Sequence, residues 1–224
     1  MIPGRPERQS LDRTITTPGQ LLVEGRGPEV FFREMVANCG FESSVEVRTF
    51  GDISKDNLQT YLEVFTQKAA FKERVKRLGV VRDAESSSAS SAFQSVQAAL
   101  RGAQLPVPNQ MKNLEGNPLS VGVFILPNCQ DSGMLEGLCW AAVPELEQAP
   151  SGALLPCVDE FFSCLEECRQ KPANPTKARF AGYALAREVI DPQLGRSAQK
   201  GAIPWSATAF GPLTAFLGAI AGKP

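Results

Sequence analysis

The chain contains no histidine, and that absence removes imidazole acid–base catalysis, His-based triads and nitrogen-rich metal sites from the possibilities. Chemistry must rest on carboxylates, lysines or cysteines. Positive charge is not in excess either. Lys plus Arg number 23 against 24 Asp plus Glu, a net charge of −1, so any nucleic-acid surface must be local. No stretch reaches the roughly 18 uninterrupted apolar residues of a membrane span. The opening "MIPGRPERQSLDRTITTPGQ" carries charge and proline but no apolar signal core, so the expectation is a soluble, cytoplasmic protein with no membrane partner. At 224 residues the chain fits one domain, with or without an extension.

Six cysteines in a chain of this length read as reduced, small apolar residues rather than as a disulfide framework. In "PCVDEFFSCLEECRQ", Cys157, Cys164 and Cys168 fall near one helical face, where three thiolates could gather a soft metal. Phe161 and Leu165 share much of that stripe and no C-x-x-C knuckle is present, so a packed face is expected instead.

Residues 1–18 lack periodicity and read as a loose arm. From there strand and helix alternate. "QLLVEG" reads as a buried strand ending at Glu24 and Gly25, and "PEVFFREMVANCG" as a helix with Pro28 in its first turn and Gly40 as its stop. "VEVRTFG" is a second strand. "KDNLQTYLEVFTQKAAFKERVKRLG" carries Leu58, Leu62, Phe65 and Ala69 at helical spacing and reads as one further helix. "LGVVRD" is the third strand, and the serines after it offer N-caps for a helix bearing Phe93, Val96 and Leu100. "LPVPNQMKNLEGNPLS" reads as irregular, and "VGVFILP" as the fourth strand. Helices alone follow, near 133–143, 156–170, 176–190 and 207–220. The pattern predicts an α/β fold, a mostly parallel four-stranded sheet over 19–143 with helices on both faces, and a helical C-terminal extension, 144–224, packed on it.

In an open α/β sheet ligands bind beyond the carboxyl ends of the strands. Strand one ends at Glu24, strand three at Asp83 with Glu85 two residues on, and strand four runs toward Asp131 and Glu136. Acids therefore recur at one edge. Each alone has a plain reading as a cap or turn former. Together they repel unless a cation is held among them, and all-oxygen ligands suit Mg²⁺ or Mn²⁺, the usual company of phosphoryl transfer.

A strand ending in "LLVEG" followed by one ending in "VVRDAE" resembles the Toprim fold of topoisomerases, primases and OLD-family nucleases. The ordered set "LLVEG", "RLGVVRDAESSSASSAFQSVQAAL", "VGVFILPN", "GMLEGL", "CVDEFFSCL" and "AQKG" is similar to the DUF3226 family, itself regarded as Toprim-like, over about 20–215. The resemblance implies a Toprim/Rossmann-like core in which Glu24 serves in proton transfer or metal binding and Asp83 and Glu85 hold Mg²⁺. The second acid is Glu85 where the Toprim pattern has Asp, and its longer side chain loosens placement. By the same resemblance Glu136, with Asp131 as the weaker alternative, would join a second metal position, and Lys200 in "RSAQKGAIPW" would steady charge at the phosphate. From the sequence itself Lys200 reads first as a surface lysine before the turn at Gly201. Arg26 and Arg82 would contact phosphate or simply neutralise the acids.

The expected function is a Mg²⁺- or Mn²⁺-dependent phosphoryl-transfer enzyme, a nuclease on DNA or RNA. The alternative is a metal- or nucleic-acid-binding module without catalysis, acting with a protein partner; a homo-oligomer is also open, although the apolar "FGPLTAFLGAI" reads as core packing over the sheet before it reads as a dimer surface. A lesser reading is action on a small phosphate ester. Strand passage by a tyrosine is excluded, since neither Tyr61 nor Tyr183 lies in a recognisable motif.

Overall fold

A computed structural model of the chain describes residues 10–50, 58–146, 154–186 and 193–223. Four parallel strands form the sheet: β1 (Gly19–Val23), β2 (Val45–Thr49), β3 (Arg77–Asp83) and, fifth in the chain, β5 (Ser120–Leu126). A further strand, β4 (Leu114–Glu115), lies in the segment read as irregular and pairs antiparallel with β5, giving five strands rather than four in the order β2-β1-β3-β5-β4. Two residues between a proline-rich run and a turn carry too little pattern to be read as a strand.

Each parallel strand alternates between two cores. On one face Leu22, Leu78, Val80, Val123 and Ile125 meet α2 (Leu58–Gln67), α3 (Ala69–Arg74) and α4 (Ala89–Gly102). On the other, Leu21, Val81, Phe124 and Leu126 meet α1 (Arg26–Asn38), α5 (Leu135–Leu146) and α9 (Gly211–Ala221). The two faces are the period-2 consequence of strands buried on both sides. The single helix read across residues 55–79 is two, because Lys68 is extended at φ −63 and ψ 133; the break turns Phe71 back onto Phe65, ring centroids 5.1 Å apart.

The last helix is part of the sheet's cover. Gly79 and Gly122 face each other across β3 and β5, and a Cβ on either would lie 2.2 Å from Ile220 Cδ1 or 2.9 Å from Phe216 Cε2. Side chains of α9 fill the space those glycines leave, and the Arg77 Nε donates to the Ile220 carbonyl at 2.7 Å, at the helix end where cations are favoured. The apolar segment "FGPLTAFLGAI" is thus core, with Leu213, Phe216, Leu217 and Ile220 buried.

Within the segment read as a loose arm, Ile15 and Thr17 are buried, and the Arg48 guanidinium donates to the carbonyls of Arg13 at 3.0 Å and Thr14 at 2.7 Å. Residues 1–9 lie outside the described residues. The helices of 144–224 also include α6 (Leu154–Glu167), α7 (Pro175–Ala186) and α8 (Leu194–Gln199), the last not foreseen. The packed-face reading of Cys157, Cys164 and Cys168 is corrected: all three are exposed, and all six cysteines are free thiols. The packing stripe of α6 is Val158 and Phe162, one residue along, which turns the cysteine stripe toward solvent with Phe161. Among the described residues no helix is long and apolar enough to cross a membrane.

Candidate functional site

Because β1, β3 and β5 are neighbours, the residues after their carboxyl ends meet. Val23 is in register with Val81, and Asp83 with Leu126, so Glu24, Asp83 and the approach to α5 lie side by side. They border a cleft of about 840 Å³, whose walls include Glu24, Asp83, Glu85 and Glu136 together with Arg26, Lys177 and Arg196.

Asp83 sits on the α1 and α5 face, the face of Val81, and its Oδ1 accepts a hydrogen bond of 3.0 Å from the Leu135 amide, the first of α5. That bond favours the ionised form, but two other effects outweigh it. Burial, then the carboxylate of Glu136, then those of Glu24 and Glu85, push its pKa from 3.8 to about 7. Asp83 is therefore the carboxyl of the site whose ionisation burial and the neighbouring acids most oppose.

Glu24 and Arg82 share the opposite parity of their strands and form an ion pair at 3.4 Å, while the Arg82 guanidinium also donates to Ser95 Oγ at 3.0 Å on α4. Arg82 is thus placed as the counter-charge of Glu24 and lines a separate, smaller cavity rather than the main cleft. Beyond Glu24 the chain turns through Gly25 at φ 88, a conformation suited to glycine, and the Gly25 amide donates to Thr49 Oγ at 3.0 Å. Arg26, first residue of α1, lines the cleft.

Glu85 is exposed and has φ 54, in the left-handed region, with its amide donating to the Gly133 carbonyl at 2.7 Å. This single bridge ties the loop after β3 to the loop before α5. Strained backbone at a ligand-facing loop is a recurring feature of functional sites. Glu136, in the first turn of α5, pairs with Lys177 at 3.6 Å. Lys177 is placed by Asn174, whose Oδ1 accepts from the Lys177 amide at 2.9 Å and whose Nδ2 lies 3.2 Å from Met134 Sδ, with Pro175 opening α7.

The remaining residues singled out from sequence lie elsewhere. Asp131 is exposed in a turn, bonded to Asn128 at 2.8 Å, and is not among the cleft's lining residues. Lys200 is the exposed C-cap of α8 and is also not among them, although its neighbour Gln199 is. Lys177 and Arg196 were not foreseen. Asn174-Pro175 is a readable helix start that puts Lys177 in a first turn; Arg196 has no comparable signal, since it depends on α8 docking onto α1. That docking is close: a Cβ on Gly195 would lie 2.8 Å from the Gly27 carbonyl oxygen and 2.9 Å from Val30 Cβ.

An oxygen-only donor set around a carboxyl that its neighbours keep from ionising is chemically fitted to a hard divalent cation. Among the described residues no three acidic or sulfur side chains are grouped so that together they could hold a metal ion. A divalent ion here would be held by one or two carboxylates and otherwise by water, as Mg²⁺ commonly is.

The fold and this cleft define an α/β protein with acidic side chains gathered at the carboxyl edge of a parallel sheet. Residues 18–221 match the model of a family described as "Protein of unknown function (DUF3226)", and the chain belongs to that family. Comparisons with curated proteins and with solved structures find no match.

Proposed function

We propose that this chain is a Toprim-like, Mg²⁺- or Mn²⁺-dependent phosphoryl-transfer enzyme, a nuclease acting on DNA or RNA. The observation that supports it most is the half-buried Asp83 at the end of β3, crowded by Glu24, Glu85 and Glu136 in a cleft that also carries cationic side chains. Asp83, with Glu85 or Glu136 as the second carboxylate and water in the remaining positions, would hold the ion. A bound divalent ion would polarise the phosphate and lower the pKa of a water. Glu24, steadied by Arg82, would accept the proton from that water. Arg26, Lys177 and Arg196 would orient the phosphate from the facing walls. Lys200, the C-cap of α8, does not line the cleft, and Lys177 is the better-placed lysine.

The test is cleavage of labelled single- and double-stranded DNA and RNA with Mg²⁺ or Mn²⁺, with and without EDTA. Asp83→Ala and Glu24→Gln should each abolish EDTA-sensitive cleavage while circular dichroism stays unchanged. Cleavage that survives both substitutions would sink the assignment. One observation favours a second reading, a nucleic-acid- or metal-binding module that works with a partner: Glu24 and Glu136 are already engaged by Arg82 and Lys177. Metal-dependent binding without turnover would decide for that module.

A further inference from the structure

The cysteines of α6 take no part in the cleft's chemistry. A free cysteine is among the residue types most often buried, yet Cys157, Cys164 and Cys168 are all exposed, while Cys39, Cys129 and Cys139 lie in or against the core under α1 and α5. At about 100° per residue the three exposed thiols fall within about 40° of the helix circumference, and Phe161, 56% exposed, borders the same stripe. We propose that Cys164 and Cys168 form half of a thiolate site for a thiophilic divalent ion, Zn²⁺, and that a second copy of this chain supplies the other half.

The Cys168 amide donates to the Cys164 carbonyl at 3.0 Å, so the helical turn between them is intact and their Cβ atoms stand about 5–6 Å apart. At that spacing both sulfurs reach one ion through bonds of ~2.3 Å. Cys157 stands about 10 Å along the axis from Cys164, too far to share that ion. Just past Cys168 the helix is closed by Arg169 at φ 57 and by the Gln170 amide on the Leu165 carbonyl at 2.8 Å, so the pair sits at the negative end of the helix dipole, where a cation is favoured. A closed zinc site takes four ligands, and a chain without histidine makes its thiolate form from four cysteines. Among the described residues one chain groups no such set, so two thiols from each of two copies complete it. The surface is open to that copy, since α6 buries only Val158 and Phe162, against Val143 of α5 and Tyr183 of α7. Its charges are self-complementary as well. Exposed Glu160 and Lys171 bracket the thiols, and two α6 helices crossing antiparallel there bring each copy's Glu160 near the other's Lys171 and cover Phe161 twice.

The test uses the full chain, freed of metal, kept reduced by a phosphine and held in excess Mg²⁺ so that the cleft's carboxylates do not compete. Zn²⁺ titrated against a chromophoric chelator should bind at half an equivalent per chain, and sedimentation velocity should show the mass doubling over the same range. Co²⁺ in place of Zn²⁺ should give the sulfur-to-metal charge transfer and the visible bands of a tetrahedral four-thiolate site. Because the site is shared, one substitution removes two sulfurs. Cys164→Ser and Cys168→Ser should therefore each weaken the binding at least about tenfold and abolish the doubling, at unchanged metal-free melting temperature, whereas Cys157→Ser should change neither. No zinc binding, or a zinc on every chain with no change in mass, overturns the inference. So does a dimer that persists under reductant without zinc, or zinc that survives both substitutions and gives no thiolate bands, which would put the ion on carboxylates.

Discussion

Asp83 is the residue on which the site turns, and its titration can be followed without any substrate. Burial first, then Glu136, Glu24 and Glu85, hold its pKa at about 7 in the folded chain against an ordinary 3.8. Between those values the folded chain keeps a proton that the unfolded chain has released. Stability from this group is therefore present at low pH, is lost as pH rises from about 4 to about 7, and is level above that. At about 1.4 kcal/mol per pKa unit the loss is on the order of 4 kcal/mol. Asp83→Asn keeps an oxygen for the Leu135 amide and carries no charge, so in EDTA it should melt several degrees above wild type at pH 8 and converge with it near pH 4. Equal melting temperatures at pH 8 would show that Asp83 is not strained by its neighbours. Arg82 makes a second residue-level case. Arg82→Ala removes the partner of Glu24 at 3.4 Å while leaving the main cleft's lining intact, so cleavage should fall and its pH profile should move, whereas Arg82→Lys should restore part of both. A uniform loss with no change in profile would mean that Arg82 only supports the fold.

At the scale of elements, the seat of α9 on the sheet gives a quantitative test. Gly79→Ala places a methyl 2.2 Å from Ile220 Cδ1 and should cost about 1–3 kcal/mol by overpacking. Ile220→Val removes that atom, so the double variant should be less destabilised than the sum of the singles, and strict additivity in urea melts would refute the contact. Ser88, which caps α4 by accepting from the Ser91 amide at 3.1 Å, should lose about 1 kcal/mol as Ser88→Ala. Its cap was legible in the serine tract, as were the strands: "LLV", "LGVV" and "VFIL" are uncharged, mostly apolar runs with turn signals soon after them, and such runs can form little else in an α/β alternation. The acids at their ends were legible for the same reason, since a strand's end and the following loop are fixed once the strand is. What could not be read depends on contacts distant in sequence. Arg196 reaches the cleft only because Gly195 lets α8 approach Gly27, and the outward turn of Cys157, Cys164 and Cys168 follows from which stripe of α6 meets α7. The break at Lys68 likewise reflects the demand of Phe71 for the core, which overrides a helical pattern running through it.

For the whole molecule, the carboxylate cluster is a destabilising arrangement that the rest of the fold sustains. The parallel sheet, covered by α2 and α4 on one face and by α1, α5 and α9 on the other, brings three strand ends together, and the acids there repel one another around Asp83. A cation that binds the folded chain and not the unfolded one relieves that repulsion and stabilises the whole by mass action, by about 2.7 kcal/mol at a hundred times its Kd. For a chain of this size that corresponds to roughly 5–10 °C in melting temperature. Wild type at pH 8 should therefore gain several degrees in saturating Mg²⁺ or Mn²⁺ and approach the metal-free stability of Asp83→Asn, which should itself gain little. Because the same carboxyl is protonated in acid, the gain in wild type should shrink as pH is lowered from 8 to 5. Differential scanning calorimetry of both proteins with Mg²⁺ and with EDTA reads all three quantities. A gain of equal size in wild type and Asp83→Asn would place the ion elsewhere on the chain, and no gain in wild type would remove the divalent cation from the site and, with it, the phosphoryl-transfer reading that depends on it.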